Sequence, residues 1–368
     1  MSEKITETML TYIEECPELI KRNVANSVEL TKPLVDEFCA GDYRTIWLVA
    51  SGSSANGSYC ARNFLRNFLK VEVKVVTPFN FIHAENDFGD NDFIFAISQS
   101  GYSTNTIEAI EIIKAKGRKS IAVTMDSNSD IKNYADLVVN YGIGFEKVGY
   151  VTKGVTGLAL FLMLFAVEAG VRKGIIDAAL ATDLKADIEA TSAINAEVLA
   201  KTKNFYEENF LALSSIGKTF LLGLGAGYGV ATEGALKISE TVQIPAMPLE
   251  AEEYLHGITL QINPRQTTFL IDVGVASERI AQIYEANKLA TPNSYLITIN
   301  PKYQEEKTAV YVNTNVRPEV LSLGFLPFVQ YTAFKITDDN HRWDQHPAFK
   351  RMNKAIAAKT KNYETRSE

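Results

Sequence analysis

Cysteine and histidine are scarce in this sequence, which has three cysteines and four histidines among 368 residues. Cys16, Cys39 and Cys60 are scattered and odd in number, so they predict no disulfide framework and fit a reducing cytoplasm. No two histidines have the spacing of metal ligands, and the acidic residues form no dense cluster. We therefore predict a cytoplasmic protein without a catalytic metal.

An excess of positive charge is also missing, because 37 Lys and Arg residues oppose 44 Asp and Glu residues and leave a net charge of −7. Nucleic acids and anionic membrane surfaces favour basic patches, so this balance argues against both as partners. The longest apolar run, residues 157–167, is too short to cross a bilayer and predicts a buried helix. The N-terminal residues lack a basic start followed by an apolar core, so we predict no signal peptide. The expected partner is a small molecule.

A complete nucleotide fingerprint is absent as well. Residues 223–229 contain four glycines between a predicted strand and a predicted helix, but Tyr228 or Val230 stands where G-x-G-x-x-G needs its third glycine. The P-loop pattern G-x-x-x-x-G-K-[ST] does not occur. We therefore expect no nucleotide and no other cofactor, and we interpret the glycines as sites of close backbone approach.

What the sequence does contain is a regular alternation of strand and helix patterns. Strands such as 45–50 and 92–97 are each followed by a helical segment, which predicts an α/β fold with parallel sheets covered by helices on both faces. The alternation restarts at Thr219 after a long helical stretch, and Thr45–Gly52 corresponds to Thr219–Gly225. This repetition indicates an internal duplication. The predicted segments are an N-terminal helix (1–24), a first domain (25–175), a connecting helix (176–208), a second domain (209–340) and a tail (341–368).

Short hydroxyl side chains cluster where two strands of the first domain end. Gly52, Ser53 and Ser54 follow one strand, and Ser98-Gln99-Ser100-Gly101 with Ser103 follows another and opens a helix. We call residues 98–103 the hydroxyl loop. Unpaired N–H groups and the dipole at a helix N-terminus favour an anion, although such a cluster can also be only a helix cap. With no Lys or Arg in the loop, we expect neutral donors to bind a small phosphorylated metabolite.

The second domain lacks this cluster and carries ionisable residues instead. Glu233, Lys237 and Glu240 share one helix face and precede the apolar segment 244–249. Such a triple is commonly a solvated ion-pair face, but apolar walls would favour use of a carboxylate as a base. His256 precedes a glycine in a predicted loop, which suggests an accessible ring able to carry protons near neutral pH.

Taken together, these motifs resemble the sugar isomerase (SIS) domain family in its tandem form, including the isomerase half of glucosamine-6-phosphate synthase. The matching elements are Ser51–Ser54, the hydroxyl loop, Glu146 with Thr152-Lys153, Glu233–Lys237 with Glu240, Leu255-His256-Gly257, and Ala358-Lys359-Thr360. Ile258 departs from the proline usual after His-Gly in the family, and the tail before Lys359 is longer.

The resemblance implies two flavodoxin-like or Rossmann-like αβα domains in three layers. It also implies a homodimer or higher homo-oligomer with shared sites. The implied phosphate ligands are Ser53, Ser54, Ser98, Gln99, Ser100 and Ser103. Further substrate contacts are implied for Gly52, Glu233 and Lys237. Glu240 would move a proton between C1 and C2, His256 would assist ring opening or act as an acid, and Lys359 could bind the open-chain sugar.

Among tandem members of the family, the resemblance favours a deglycase. Such an enzyme cleaves a 6-phosphorylated glycated amino acid of the fructoselysine or glucoselysine type to a hexose 6-phosphate and a free amino acid. A ketose/aldose isomerase or an amino-sugar-phosphate deaminase would use the same Glu240 and His256. A sugar-phosphate-sensing regulator is a further alternative, although no basic helix-turn-helix segment accompanies the two domains.

Overall fold

The computed structural model describes residues 7–363 and confirms the α/β fold, with one five-stranded parallel sheet in each half of the chain. The N-terminal helix predicted over 1–24 has its first residues outside the described range. The remainder forms two helices rather than one, α1 (Met9–Glu14) and α2 (Cys16–Ala25), followed by α3 (Ser27–Cys39). Pro17 explains the break, because proline lacks an N–H and is tolerated only in the first turn of a helix.

Continuous apolar runs build the first sheet. Its strands are β1 (Thr45–Ala50), β2 (Glu72–Val76), β3 (Asp92–Ile97), β4 (Ile121–Thr124) and β5 (Leu137–Asn140). The helices of this half are α4 (Ser53–Leu69), α5 (Pro78–His83), α6 (Thr104–Ala115) and α7 (Lys153–Arg172). From residue 46 to the end of β1 every side chain is buried, as expected for a central strand covered on both faces.

The second sheet repeats this plan. Its strands are β6 (Thr219–Gly223), β7 (Ala246–Glu250), β8 (Thr267–Ile271), β9 (Ser294–Thr298) and β10 (Ala309–Tyr311). The remaining helices are α8 (Ala178–Glu208), α9 (Phe210–Leu213), α10 (Ala226–Lys237), α11 (Ser277–Lys288), α12 (Leu321–Asp339) and α13 (Ala348–Ile356). The sequence pattern misses β7 as a strand because Pro248 interrupts it. This strand lies at the sheet edge, where a missing N–H is tolerated.

The two sheets have the same topology, which supports the predicted duplication. Their strand orders are β2-β1-β3-β4-β5 and β7-β6-β8-β9-β10, so each follows the flavodoxin-like order 2-1-3-4-5. The turns after β1 and β6 also match, because Gly52 (φ 55°) and Gly225 (φ 59°) directly precede α4 and α10. In each sheet, the second and third strands lie on opposite sides of the first strand, which creates a switch point in the strand order. Ligands of such sheets bind at this point, beyond the carboxyl ends of the strands.

The chain divides into two compact units. The first-sheet unit comprises residues 21–149, 154–186 and 345–363, and the second-sheet unit comprises 7–20, 150–153 and 187–344. This division differs from the predicted segments, because α1 groups with the second sheet and the tail from 345 groups with the first. Helix α8, predicted as a connector, is shared between the units at residues 186 and 187.

Among residues 7–363, two helices are long and apolar enough to cross a membrane by composition alone, α7 and the segment Pro318–Asp339. Both are core helices, since 89% and 94% of their most apolar windows are buried inside the protein. The prediction of a buried helix over 157–167 is thus confirmed. In α7, Phe165 packs edge-on against Phe38, and in α12, Phe328 packs against Phe269.

Candidate functional site

The hydroxyl loop is a tight turn fixed to the end of β3. The Ser98 N–H donates to Val123 O at 3.0 Å, and the Gly101 N–H donates to both Ser98 O (3.1 Å) and Ser98 Oγ (3.2 Å). Gly101 has φ +72°, and a Cβ at this position would lie 1.8 Å from Ser129 Oγ. Only glycine fits both the conformation and the space, so the turn is determined by this residue.

The Ser103 hydroxyl does not cap α6, although Ser103 is the N-cap residue of that helix. It lies instead 3.2 Å from Ser98 Oγ, on the loop side. The cluster is therefore more than a helix cap. The positive end of the dipole of α6 reinforces the preference for an anion at this position.

Gln99 is oriented by a buried carboxylate. Its Nε2 donates to Glu146 Oε2 at 2.8 Å, and the same oxygen accepts from the Gly154 N–H at 3.0 Å. A Cβ at Gly154 would lie 2.3 Å from Gln99 Oε1, so this glycine makes room for the amide. Glu146 therefore serves to hold the Gln99 amide in the hydroxyl loop, which the sequence motif alone does not reveal.

The turn after β1 ends at the same sheet edge as the hydroxyl loop. Strands β1 and β3 are parallel neighbours, and Ala50 pairs with Ile97, the residues just before the two turns. Ser53 is buried and Ser54 is half-buried at the start of α4. Both predicted hydroxyl turns of the first-sheet unit therefore flank one switch point between strands.

A cation reaches the hydroxyl loop from the distant tail. Lys359 Nζ donates to Ser100 Oγ at 2.9 Å and to Ser103 Oγ at 3.0 Å. The expectation that the loop has only neutral donors is therefore wrong, because sequence proximity does not reveal a residue that folds back from the tail. Burial lowers the pKa of Lys359 below the ordinary lysine value.

The tail approaches the loop through residues 357–360, which we call the C-terminal segment. The Thr104 N–H donates to Ala358 O (3.2 Å), and the Thr360 N–H donates to Tyr102 O (2.9 Å). Tyr363 packs on Tyr102 with ring centroids 5.6 Å apart.

Other apolar side chains of the tail differ in their exposure. Trp343 packs on Phe334, at a ring-centroid distance of 5.7 Å. Phe349, Met352 and Ile356 remain 44%, 58% and 66% exposed, so α13 turns its apolar face outward.

In the second-sheet unit, Glu233, Lys237 and Glu240 form an acid–lysine triad that is largely buried. Lys237 and Glu233 have fully buried side chains, and Lys237 Nζ lies 3.1 Å from Glu233 Oε1 and contacts Glu240 Oε1. Burial lowers the pKa of Lys237, but the two carboxylates outweigh it and raise this pKa above the ordinary value. The alternative of a solvated ion-pair face is therefore wrong. Glu240 alone has an exposed side chain, at 30%.

A π-helical turn presents Glu240. Helix α10 ends at Lys237 and continues as a π-helical turn over Ile238–Val242, which the left-handed Gln243 (φ 61°) terminates. The wider turn takes Glu240 out of the regular helical register while Lys237 stays in the core. Such turns are common at functional sites, and no sequence pattern used above could find it.

His256 is not bonded to this triad among the described residues. It is exposed at the end of the short 3₁₀ turn Glu253–Leu255, next to Gly257 with φ 106°. No hydrogen bond or ion pair joins it to the triad within residues 7–363. Its predicted role remains a prediction.

The second sheet offers no equivalent anion loop, because a carboxylate already uses the donors there. Asp272 directly follows β8, as Ser98 follows β3, and it is buried. Its Oδ1 accepts from the Gly274 N–H (2.9 Å) and Ser277 Oγ (2.7 Å), and its Oδ2 accepts from Thr298 Oγ1 (2.6 Å). The predicted asymmetry between the halves thus has a direct physical cause.

Comparison with known proteins places this geometry in a wider group. Residues 42–167, which contain both hydroxyl turns, match the family profile of the SIS domain. A glutamine–fructose-6-phosphate aminotransferase (isomerizing) of Leifsonia xyli is 29% identical over 238 residues, which cover 65% of this chain. The chain spans only 38% of the length of that relative.

Solved structures share the whole architecture. A Clostridium difficile protein provisionally named a phosphosugar isomerase superposes with a TM-score of 0.86 over 97% of this chain and 100% of its own, at 24% identity. The C-terminal domain of glucosamine-fructose-6-phosphate aminotransferase from Francisella tularensis gives a TM-score of 0.75 over 92% and 98%, at 20% identity. These matches extend over both sheets and show the same tandem fold.

Proposed function

We propose that this chain, which matches the SIS-domain profile over residues 42–167 and has the same topology in both halves, is an enzyme that moves a proton between C1 and C2 of a sugar phosphate. The relatives support this class, because the isomerizing aminotransferase acts on fructose 6-phosphate by its name. Within the class, we propose a deglycase that releases an amine from a 6-phosphorylated glycated amino acid.

The acid–lysine triad carries the proposal. A carboxylate that moves a proton must be reachable by substrate and held in one position. Glu240 is 30% exposed and is held by Lys237, which is itself anchored on the buried Glu233. Of the three groups, only Glu240 can meet a ligand, so we assign it the role of base and Lys237 the role of positioning it.

The reaction then follows from ordinary imine chemistry. Glu240 removes a proton from C1 of the amino ketose while the oxygen on C2 gains a proton, which gives an enaminol. The proton taken from C1 is returned at C2 and the nitrogen loses its proton, so that the C1–N bond becomes an imine. Water adds to C1, the C–N bond breaks, and the products are a hexose 6-phosphate and the free amine. A well-placed acid or base contributes about 10²–10⁴ to the rate. We keep His256 as the proposed acid of this sequence.

Two features favour a substrate that already carries an amine. An isomerase of this family would use the Lys359 amine on the open-chain sugar, but this amine is hydrogen-bonded to the hydroxyl loop. A glycated amino acid brings its own nitrogen to C1 and needs no lysine for that purpose. Sugar isomerisation without release of an amine is the second candidate, because it requires the same proton transfer at Glu240.

Product analysis tests the proposal. The purified full chain is incubated with a panel of glycated amino acid 6-phosphates and hexose 6-phosphates, and the released amine and sugar phosphate are identified. We expect a free amino acid in equal amount to a hexose 6-phosphate. Interconversion of hexose phosphates without an amine would instead establish the isomerase.

A matched pair of variants separates an enzyme from a sensor. Glu240→Gln should lower amine release at least 10²-fold, about the contribution of one base, while binding of the sugar phosphate persists. Glu305→Gln, an exposed carboxylate of the same unit, should leave turnover unchanged. Binding without turnover in the wild-type protein itself would support a sugar-phosphate-sensing regulator.

A further inference from the structure

We propose that Lys359 supplies the positive charge that neutralises the substrate phosphate, so that the C-terminal segment completes the phosphate site. This inference rests on the proposed function, which assigns phosphate binding to the hydroxyl loop. It differs from the role that the family resemblance implies for this lysine, namely binding of the open-chain sugar.

The geometry of the amine carries the first step. A lysine ammonium has three N–H donors, and Lys359 directs two of them at Ser100 Oγ (2.9 Å) and Ser103 Oγ (3.0 Å). The Ser98 hydroxyl lies 3.2 Å from Ser103 Oγ and extends the same cluster. One cation and three hydroxyls thus converge at the N-terminus of α6, which is a donor set for a phosphate.

Among residues 7–363, the charge of this amine has no acidic partner. No carboxylate of residues 7–363 lies within 4.0 Å of Lys359 Nζ, whereas the buried Lys237 contacts two. The Lys359 amine faces only the loop hydroxyls and, at 5.2 Å, the Tyr363 ring. A half-buried cation without an anion is unfavourable, and a bound phosphate would compensate it.

The position of the amine argues against a covalent role at C2. In an open-chain hexose 6-phosphate the phosphate and the carbonyl carbon are at opposite ends of the molecule. An amine hydrogen-bonded to the loop that receives the phosphate is at the wrong end for an imine. The backbone pairing of Thr104 with Ala358 and of Thr360 with Tyr102 fixes the segment in this place.

Binding of inorganic phosphate to the full chain tests this role without requiring catalysis. Calorimetry on wild type, Lys359→Met, Lys359→Arg and Lys361→Met gives the affinities. Lys361 is the matched control, because it is exposed and lies two positions after Lys359 in the sequence. We expect Lys359→Met to weaken binding about 10–100-fold, the value of one charged hydrogen bond. Lys361→Met should change the phosphate affinity less than about twofold. Lys359→Arg, which keeps the positive charge, should retain part of the affinity.

A covalent experiment distinguishes the two roles of the lysine. Borohydride is added to the protein with fructose 6-phosphate, and the peptides are analysed by mass spectrometry. We expect no sugar adduct on Lys359, and an adduct there overturns the proposal. Equal phosphate affinities of wild type and Lys359→Met, in variants with the same melting temperature, also overturn it.

Failure of this proposal is distinguishable from failure of the proposed function. If phosphate binding depends on Lys359 but no amine is released from any substrate, the charge role stands and the deglycase falls. If amine release is observed while phosphate binding is independent of Lys359, the deglycase stands and the charge role of Lys359 falls.

Discussion

At the scale of the residue, the charges of greatest consequence are the buried ones. Glu233, Lys237 and Asp272 have almost no exposed surface, and each is held by partners on its own unit. Burial of a charge is costly unless it is paired or hydrogen-bonded, so each of these residues is constrained by its own partners. Lys359 differs, because its partners are hydroxyls.

Removal of the lysine from the acid–lysine triad should strongly destabilise the protein. Lys237→Met removes the ammonium that pairs with the buried Glu233, and breaking such a pair costs about 3–5 kcal/mol. Denaturant unfolding followed by circular dichroism measures this loss. As a control, Lys302→Met removes an exposed ion pair with Glu285 and should cost no more than about 1 kcal/mol. Equal losses in the two variants would mean that the triad is not the buried network described.

The pKa of Lys359 predicts how phosphate affinity depends on pH. Burial lowers this pKa, so the amine loses its charge at a lower pH than an ordinary lysine does. Phosphate binding favours the charged amine, and affinity should therefore fall as the pH rises through that value. Calorimetric titrations from about pH 7 to about pH 10, near the ordinary lysine value, would follow the loss. Lys359→Arg should flatten the profile, and a wild-type profile equally flat would contradict the assignment.

Residue roles are also where prediction from sequence has its limit. The hydroxyl turns and the triad are visible as local patterns, because each lies within a few residues of chain. The contact of Lys359 with Ser100 and the hydrogen bond of Gln99 to Glu146 depend on tertiary folding, so they are not visible as local sequence patterns. Only the resemblance to the family singles out Lys359 and Glu146 from the sequence, and it does not predict which residues they contact.

At the scale of the element, the strand–turn–helix unit is the recurring device. Gly52 and Gly225 have nearly the same positive-φ backbone at equivalent turns, and Gly101 also has a positive φ in the turn after β3. The predicted bounds of β1, β3 and β6 agree with the structure, because continuous apolar runs define central strands. Strand β7 and the π-helical turn deviate from the regular patterns and are therefore missed.

The turn at Gly101 should not tolerate a side chain. Gly101→Ala forces a residue with φ +72° and a Cβ 1.8 Å from Ser129 Oγ. We expect a loss of about 1–3 kcal/mol in stability, together with weaker phosphate binding. Gly89→Ala is the control, because a Cβ there meets nothing within 4 Å, and it should change stability by less than about 0.5 kcal/mol. Thermal unfolding and phosphate titration of both variants provide the measurement, and matching behaviour would refute the steric argument.

At the scale of the whole molecule, duplication has been followed by specialisation. Both halves keep the same strand order, but one retains open hydroxyl donors and the other fills them with Asp272. The alternation of patterns predicts the duplication, since it depends on sequence periodicity. The grouping of α1 with the second sheet and of the tail with the first is not predictable that way, because it depends on long-range packing.

This asymmetry predicts one phosphate per chain rather than two. In the second half, the carboxylate of Asp272 accepts from Gly274, Ser277 and Thr298, and a phosphate would have to displace a buried anion. Like charges at one site are strongly unfavourable, so only the hydroxyl loop should bind. Calorimetry with inorganic phosphate should give a stoichiometry near one, and Lys359→Met should weaken that single site. Two equivalent sites would show that Asp272 does not exclude anions, and the functional division between the halves would have to be abandoned.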